Sequence, residues 1–331
     1  MISRRGFLGG LAAGLLGHRA SHVAAEPAPE TNRLRLQQIA AICTAPQLVA
    51  EDLLRAEGFS DLEYLKMQGA PTTALAKALA SGQVDFAVNY TTNTIRQIDA
   101  GDPITLLAGV HVGCYELFGT ERVRTVRDLR GRKVAVPEIG VGHHTFVSMM
   151  AAYVGLDPGK DIEWIIQPAA ESKRLLAEGK VDALMAFPPD PQELRAKKIG
   201  HVIVNSAIDR PWSQYLCCMI GGNKEFVRKH PVATKRVVRA ILKAASVCAT
   251  EPERAARLLV ERGVTPSYEY ALQTLKELPY NSWRELDATD AVRFWSLRLH
   301  EAGLIKSGPN KIIAQGTDWR FFDELKKELK A

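Results

Sequence analysis

One sequence pattern occurs twice in this chain, 97 residues apart, and constrains its fold more than any other feature. The stretch PTTALAKALASGQVDFAVNY begins at Pro71, and PAAESKRLLAEGKVDALMAF begins at Pro168. Aligned without a gap, the two stretches place Gly82 on Gly179 and superimpose a Val-Asp pair two residues further on. Self-similarity at a fixed spacing indicates one structural unit used twice.

Each copy of the unit predicts three strands separated by two helices. Proline at a helix start and glycine past its end, together with apolar runs between them, set the boundaries. The predicted strands cover 34–42, 62–67 and 84–90 in the first copy and 132–137, 162–167 and 181–187 in the second. The predicted helices cover 46–58 and 71–82 in the first copy and begin at 143 and 168 in the second. Alternating strands and helices predict an α/β fold with two lobes, each a parallel-rich sheet flanked by helices.

The chain after the second copy is predicted to be mostly helical. Residues 213–222 form a further strand-like run. From residue 223 onward, apolar residues recur at intervals of three and four, which is typical of helices with one buried face. These helices are expected over 231–249, 251–263, 266–278, 287–303 and 317–330.

The first 25 residues have the features of an export signal. Arg4 and Arg5 precede an apolar run over 7–17, and small residues follow up to Ala25. The run is shorter than the roughly 20 residues that a membrane-spanning helix needs. An arginine pair followed closely by Phe-Leu resembles the bacterial twin-arginine signal. We therefore expect export by that route, cleavage near Ala25 and a soluble periplasmic protein.

Composition excludes several functions. Hydrophobic residues make up 46% and charged residues 24% of the 331, the balance of a soluble globular protein. Removing the first 25 residues takes away three arginines and no acid, which halves the net charge of +6. No basic stripe with interleaved aromatic residues remains, so nucleic-acid binding is not expected. Five cysteines are too few for a disulfide-stapled scaffold.

Ligands of open parallel sheets lie beyond the carboxyl ends of the strands, in front of helix starts. In a two-lobed chain these ends face each other across a cleft. The chain must pass between the lobes at 109–119 and 212–222, giving a first lobe of residues 26–113 with 217–331 and a second lobe of 114–216. The candidate ligand-binding residues in these loops and crossings are Thr44, Pro46, Gln47, Asn89, Tyr90, Thr91, His111, Cys114, Glu116, Glu138, Gly142, His143, His144, Thr145, Pro188, Asp190 and Tyr215.

The stretch VPEIGVGHHTFVSMM, residues 136–150, is the most distinctive of these loops. Its glycines allow a tight turn, and His143 then begins a helix whose first amide groups favour an anion or a ligand oxygen. A metal site is not favoured, because adjacent helical residues point about 100° apart and no CxxC or HExxH motif accompanies them. Nucleophilic catalysis by Cys114, Cys217 or Cys218 stays open, although buried structural cysteines are commoner. A disulfide between Cys114 and Cys217 is a further alternative.

Several phrases resemble a known family. They are ALASGQVDFAV, TVRDLRGRKVAVPEIGVGHHTFVSMMAAYVGLDP, LLAEGKVDALMAFPPDP and KHPVATKRVVRAILKA. They are similar to periplasmic solute-binding proteins of ABC importers, in the branch that binds nitrate, sulfonates, taurine and thiamine precursors. The resemblance implies a type II binding-protein fold, hinged closure on one small ligand, and delivery to a membrane permease and its ATPase. It also implies a monomer without catalysis or a cofactor.

The ligand expected from the cleft residues is a small organic molecule: a sulfonate, an amine or zwitterion, or a pyrimidine-like solute. Aromatic residues near the cleft suit an organic solute, while Glu116, Glu138 and Asp190 would repel a purely anionic one. Two alternatives remain. One is a periplasmic enzyme on the same scaffold that uses His143, His144 or Cys114, and the other is the ligand-binding subunit of a sensory receptor.

Overall fold

The chain places ten strands in two five-stranded sheets within the described residues of the computed structural model, which are 26–39, 41–66 and 77–329. The strands are β1 Arg33–Gln38, β2 Asp61–Lys66, β3 Phe86–Tyr90, β4 Ile104–Val112, β5 Glu116–Gly119, β6 Arg132–Val136, β7 Ile162–Ile166, β8 Ala183–Ala186, β9 His201–Asn205 and β10 Leu216–Asn223. The predicted export signal lies outside the described residues. No helix in the described ranges is both long and apolar enough to cross a membrane.

The strands of the two sheets are arranged in the same way: the three strands of each repeated unit lie side by side, followed by a strand that arrives from the other sheet and one further strand. The first sheet has the order β2-β1-β3-β10-β4, and the second has the order β7-β6-β8-β5-β9. In the first sheet β1 runs parallel to β2 and β3, whereas β10 is antiparallel to β3 and β4. In the second, β6 runs parallel to β7 and β8, whereas β5 is antiparallel to β8 and β9. The predicted two-lobed α/β fold is confirmed. Each sheet is mixed because one strand of each arrives from the other sheet.

The repeated Val-Asp pair performs the same task in both sheets. The Asp85 carboxylate accepts hydrogen bonds from the backbone N–H of Arg35 at 2.8 Å and from the Arg35 guanidinium at 2.6 Å. Asp182 likewise accepts from the backbone N–H of Lys133 at 2.9 Å and pairs with the Arg122 guanidinium. Each aspartate therefore ties the third strand of its unit to the first, which explains why this pair is repeated.

Thirteen helices with full described bounds surround the sheets. Those up to β10 are α1 Ala45–Val49, α2 Glu51–Ala56, α3 Thr91–Asp99, α4 Gly142–Tyr153, α5 Ala169–Ala177 and α6 Asp190–Ala196. Those after β10 are α7 Lys224–Lys229, α8 Pro231–Thr250, α9 Pro252–Glu261, α10 Tyr268–Glu277, α11 Ala288–Glu301, α12 Pro309–Gly316 and α13 Arg320–Glu328. Short 3-10 turns cover Ile42–Thr44, Val126–Leu129, Trp212–Gln214 and Ser282–Arg284.

Five of the seven helices after β10 were predicted, each within three residues of its observed bounds. The single helix expected over 46–58 is two helices, α1 and α2, which meet at Ala50. The strand expected over 34–42 ends at Gln38, and the chain turns into a 3-10 helix at Ile42. Helices α3, α6, α7 and α12 were not predicted. Of the helix expected over 71–82, the described residues 77–80 are helical and the rest lies outside the described residues.

Strands β4, β8 and β10 are buried along their whole length, although β4 lies at the edge of its sheet. One hydrophobic core cluster continues from the first sheet into the second and includes Val88, Leu117 and Met185. Helix α11 of the tail packs on α4 beside the second sheet. The two sheets therefore meet in a packed junction, which contains most of the candidate site residues.

Candidate ligand-binding site between the two sheets

An aromatic cluster occupies the junction between the two sheets. Tyr90, at the end of β3, lies 4.8 Å from Tyr115 between ring centroids. Tyr115 lies 5.4 Å from Phe146 and 5.6 Å from His143, both on α4. His143 in turn lies 4.8 Å from Phe187, which follows β8. These five rings come from both sheets, so an organic solute held here would contact both.

Two glycines shape the loop in front of α4. Gly140 has a φ of +87°, a backbone conformation that favours glycine. A Cβ on Gly142 would lie 2.1 Å from the Tyr115 hydroxyl oxygen, so only glycine allows the helix to start against this ring. Val141 precedes the helix without a side-chain cap. The first amide groups of α4 have no partner within the helix, and they lie beside the aromatic cluster.

Arg96 lies opposite the glycine loop and was not predicted. It projects from α3, on the first sheet, and donates a hydrogen bond to the carbonyl oxygen of Gly140. No carboxylate pairs with Arg96 among the residues the structure describes. Burial lowers the pKa of this half-buried guanidinium, although it remains charged at neutral pH. Among the described residues, the junction therefore holds a cation whose donors no carboxylate accepts from. The signal available in the sequence was that Arg96 comes five residues after Thr91, a candidate residue at the end of a predicted strand.

The two adjacent histidines face different surroundings, as their helical spacing predicted. His143 contacts Tyr115 and Phe187, whereas His144 lies 4.5 Å from Trp164 of β7 between ring centroids. Burial lowers the pKa of His143 to about 4. Burial, together with the Arg96 charge, lowers the pKa of His144 to about 4 as well. Both rings are therefore neutral at pH 7 and offer uncharged donors and acceptors.

These pKa values predict a loss of stability in mild acid. Between pH 6.5 and about 4 the unfolded chain binds protons at His143 and His144 that the folded chain does not, so the free energy of unfolding falls with pH. One pKa unit corresponds to about 1.4 kcal/mol, which gives about 2 kcal/mol for each histidine at pH 5. Urea denaturation at pH 7 and pH 5 measures the loss.

The control for this pH effect is the double variant His143→Gln/His144→Gln. Carboxyl groups whose pKa is lowered by ion pairs, such as Glu26 beside Arg239 and Glu193 beside Lys173, lose their contribution mainly below pH 4.5, and Glu116, whose pKa burial raises, responds in the opposite direction. Burial opposes the charged form of His111, but Cys218 and the backbone oxygens of Val112 and Cys43 together raise its pKa, so His111 responds above pH 6.5. The difference between the stability losses of wild type and the double variant therefore measures the contribution of the two histidine rings. An equal fall in stability for both proteins contradicts the assignment.

The acidic candidates are compensated by ion pairs. Glu116 pairs with Arg195, which also pairs with Glu277 of α10 at 2.6 Å. Asp190 pairs with Lys173 at 2.6 Å. Glu138 is exposed in the loop before α4. Basic partners neutralise Glu116 and Asp190, so the expected repulsion of anions by these two acids loses its basis. The Arg195–Glu277 pair, which was not predicted, links the second sheet to the helical tail.

Several candidate polar groups hold the loops together. The Gln47 amide donates to Gln37 O and accepts from Val88 N at 2.7 Å, inside the first lobe. The Thr44 hydroxyl donates to Ala41 O at 2.8 Å, and the Thr91 hydroxyl donates to Cys217 O at 2.7 Å.

Four further candidates have similar local roles. Asn89 Oδ1 accepts from Tyr90 N at 2.7 Å, and the Thr145 hydroxyl donates to Gly140 O at 3.3 Å. Pro46 lies in the first turn of α1, and Pro188 directly follows Phe187 in the chain. These residues shape the loops around the junction, and their contribution to binding stays a prediction.

Tyr215 and His111 lie away from the aromatic cluster. Tyr215 stacks on Phe294 of α11, with ring centroids 3.8 Å apart. His111 is fully buried, and its ring nitrogens lie 3.0 Å from Val112 O and 3.0 Å from Cys43 O. Both side chains therefore have packing partners within the protein.

All five cysteines are free thiols. The sulfur atoms of Cys114 and Cys217 are 3.1 Å apart, well beyond the roughly 2.05 Å of a disulfide bond. The two predicted crossings therefore bring these residues together, as the disulfide alternative required, without joining them.

Comparison with known proteins identifies the family. Residues 60–255, more than half of the chain, match the NMT1/THI5-like family, and the chain belongs to it. The chain is 26% identical over 271 residues to the nitrate/nitrite binding protein NrtA of Synechocystis sp., covering 72% of this chain. This chain spans only 59% of the length of that relative.

Solved structures show the same fold. The crystal structure of the periplasmic nitrate-binding protein NrtA from Synechocystis PCC 6803 superimposes with a TM-score of 0.75 and 17% identity, covering 92% of this chain and 90% of that one. The alkanesulfonate-binding protein SsuA from Xanthomonas axonopodis pv. citri, bound to MOPS, gives a TM-score of 0.70 and 18% identity, covering 89% and 100%. The fold is therefore that of the periplasmic binding proteins, and these relatives are named as binding proteins rather than enzymes.

Proposed function

We propose that this protein is the solute-binding component of an ABC importer and captures a small organic solute that carries an anionic group, such as a sulfonate or a zwitterion. The observation that carries the proposal is Arg96, a half-buried cation without a carboxylate partner in the described ranges, facing the start of α4. Charge-assisted hydrogen bonds from a guanidinium and from helix-start amides suit an oxyanion. The names of the relatives, for nitrate and for alkanesulfonates, agree with an anionic group.

The aromatic cluster supplies the other half of the site. Rings of Tyr90, Tyr115 and Phe187 provide an apolar surface beside the Arg96 donors. A bare inorganic anion has no apolar area to bury against such a surface, whereas the carbon part of an organic solute does. This combination favours an organic ligand over nitrate itself.

Capture proceeds by closure of two lobes, made of residues 26–113 with 217–331 and of residues 114–216. Contacts that join the lobes, such as Arg96 with Gly140 and Arg195 with Glu277, favour the closed arrangement. A ligand that binds both lobes shifts the population toward that state without any bond being made. The protein is exported by the twin-arginine route, is cleaved near Ala25 and acts as a periplasmic monomer. Once loaded, it delivers the solute to a membrane permease and its ATPase.

A thermal-shift screen of the full chain tests the proposal. Matched solutes separate the charge requirement from the size requirement: ethanesulfonate, taurine, ethylamine, a neutral pyrimidine, nitrate and bicarbonate. We expect a sulfonate or a zwitterion to raise the melting temperature, since ligand at 100 times its Kd stabilises the folded state by about 2.7 kcal/mol. A shift with ethylamine alone, or with none of the six solutes, overturns the proposal.

A further inference from the structure

Four of the five cysteines gather at one place in the junction. Cys43 lies in the 3-10 turn after β1, Cys114 in the crossing from β4 to β5, and Cys217 and Cys218 at the start of β10. Their exposed fractions are 6%, 5%, 2% and 1%, respectively. Three separate segments therefore bring four thiols to one buried point. The proposed solute site makes no use of this sulfur cluster.

The spacing of the sulfur atoms is that of a metal-binding site. Sulfur atoms are 3.1 Å apart between Cys114 and Cys217 and 4.0 Å apart between Cys217 and Cys218. All ligand atoms of these three cysteines lie within 4.8 Å of one another. Four thiolates arranged tetrahedrally at about 2.3 Å from a zinc ion are roughly 3.8 Å from each other. The two separations lie on both sides of that value, so small side-chain rotations bring the sulfur atoms of Cys114, Cys217 and Cys218 to it, and a rotation of Cys43 toward Cys218 supplies the fourth.

Cys43 lies next to this set of three. Its Sγ lies within 4.8 Å of both Cys218 Sγ and a ring nitrogen of His111, so Cys218 is the neighbour that it shares with Cys114 and Cys217. The Nε2 atom of His111 is 3.0 Å from the backbone oxygen of Cys43. His111 therefore fixes the turn that carries Cys43 and acts as a positioning residue beside the sulfur atoms.

Ordinary packing accounts poorly for this arrangement. A buried thiol behaves as a small apolar group with weak hydrogen bonding, so packing alone gives no reason to collect four of them from separate segments. Cys248, in α8, shows the ordinary case, because it is buried outside the cluster and burial raises the pKa of its thiol.

We propose that this cluster binds one thiophilic metal ion, Zn²⁺ or Cu⁺, through the sulfur atoms of Cys43, Cys114, Cys217 and Cys218. Thiolate ligands select these ions over Mg²⁺ and Ca²⁺. Binding displaces the thiol protons to solvent. The ion joins the outgoing crossing, the returning strand β10 and the first loop of the chain, so it fixes the hinge region. The inference goes beyond the proposed solute-binding function and does not depend on it.

Metal titration of the full chain tests the inference. The chain is reduced, stripped with a chelator and titrated without oxygen, in one arm with Zn²⁺ and in the other with Cu⁺. We expect one ion per chain to survive desalting in at least one arm and to protect four thiols from a thiol-modifying reagent. The arm with retention against a competing chelator identifies the ion. Retention in neither arm, or a Cys114–Cys217 disulfide in the protein as purified, overturns the inference.

Two serine variants locate the ion. Cys218→Ser removes the ligand shared by both groups of sulfur neighbours and is expected to weaken metal binding at least about 100-fold, since even outer-shell changes cost 10–100-fold. Cys248→Ser is the matched control and is expected to bind like wild type. Equal affinity of Cys218→Ser and wild type counts against the site. Should Cys218→Ser fail to fold, ion retention and thiol protection in the wild-type chain still decide the question.

Discussion

Replacing Arg96 by alanine is expected to weaken binding of the anionic solute about 10- to 100-fold. The guanidinium lies across the junction from the start of α4 and, in the described ranges, has Gly140 O as its hydrogen-bond acceptor and no carboxylate partner. A hydrogen bond to a charged group contributes about 1.5–3 kcal/mol, and about 1.4 kcal/mol corresponds to a factor of ten in affinity. Isothermal titration with whichever solute stabilises the wild-type chain measures the change.

Three further variants distinguish an anion contact from general damage. Arg96→Lys keeps the charge but not the planar fork, so part of the affinity is expected to remain. Arg257→Ala removes an exposed arginine of α9 and should bind like wild type. His143→Ala, at the aromatic cluster, is expected to weaken binding while leaving the chain folded. If Arg96→Ala binds the solute as tightly as Arg257→Ala does, the charge is not part of the site.

The fold was readable from the sequence because its main determinant is local and repeated. The proline and glycine boundaries, the apolar periods and the Val-Asp pair recur with one offset, and each acts over a few residues. Asp85 and Asp182 show the result, since each bonds the first strand of its own unit in the same way. The sheets are mixed because the chain crosses between the lobes. The run at 213–222 was recognisable in the sequence as a strand, but the direction in which it runs in its sheet was not.

The site was only partly readable, because its key contacts join residues far apart in the chain. Loops from both sheets meet at the junction, yet the Gln47 amide serves its own lobe through Gln37 and Val88. Arg195 and Glu277 meet across 82 positions. A single sequence contains no signal for such pairs, so the sequence predicted acidic side chains without basic partners.

The sulfur cluster shows the same limit. Cys114 and Cys217 were expected to be near each other because both lie in crossings. Nothing in the sequence predicted that Cys43, 71 positions before Cys114, would lie near these two residues. Metal motifs are recognised in a sequence by ligands a few residues apart. A site assembled from three distant segments has no such spacing, so only the fold reveals it.

The largest loss of stability is expected for Gly113→Ala, in the crossing from β4 to β5. Gly113 has a φ of +63°, and an added Cβ would lie 2.3 Å from Ala207 Cα and 2.6 Å from Ala207 N. A left-handed conformation costs a side-chain-bearing residue about 1–2 kcal/mol. The collision with backbone adds to this, and we expect a total of at least about 3 kcal/mol. Urea denaturation measures the free energy of unfolding.

The backbone around Ala207 cannot move away easily, because hydrogen bonds fasten it to the crossing. The Ser206 hydroxyl accepts from Cys114 N at 3.1 Å and from Tyr115 N at 2.9 Å, and Ser206 N donates to Tyr115 O at 2.9 Å. Ala207 N donates to Asn205 Oδ1 at 2.9 Å. Relieving the collision would therefore break the bonds that hold the crossing in place.

Two other glycines separate the two causes of this loss. Gly155 has a φ of +84° with nothing within 4 Å of an added Cβ, so Gly155→Ala should show the conformational cost alone, about 1–2 kcal/mol. Gly308, the N-cap of α12, has neither a positive φ nor a close neighbour, so Gly308→Ala should cost only the difference between glycine and alanine at an N-cap, at most about 1 kcal/mol. A loss at Gly113 no larger than that at Gly155 would mean that the crossing and Ala207 are not in close contact. The proposed hinge would then be looser than the structure indicates, since the same contact positions Cys114 and Tyr115.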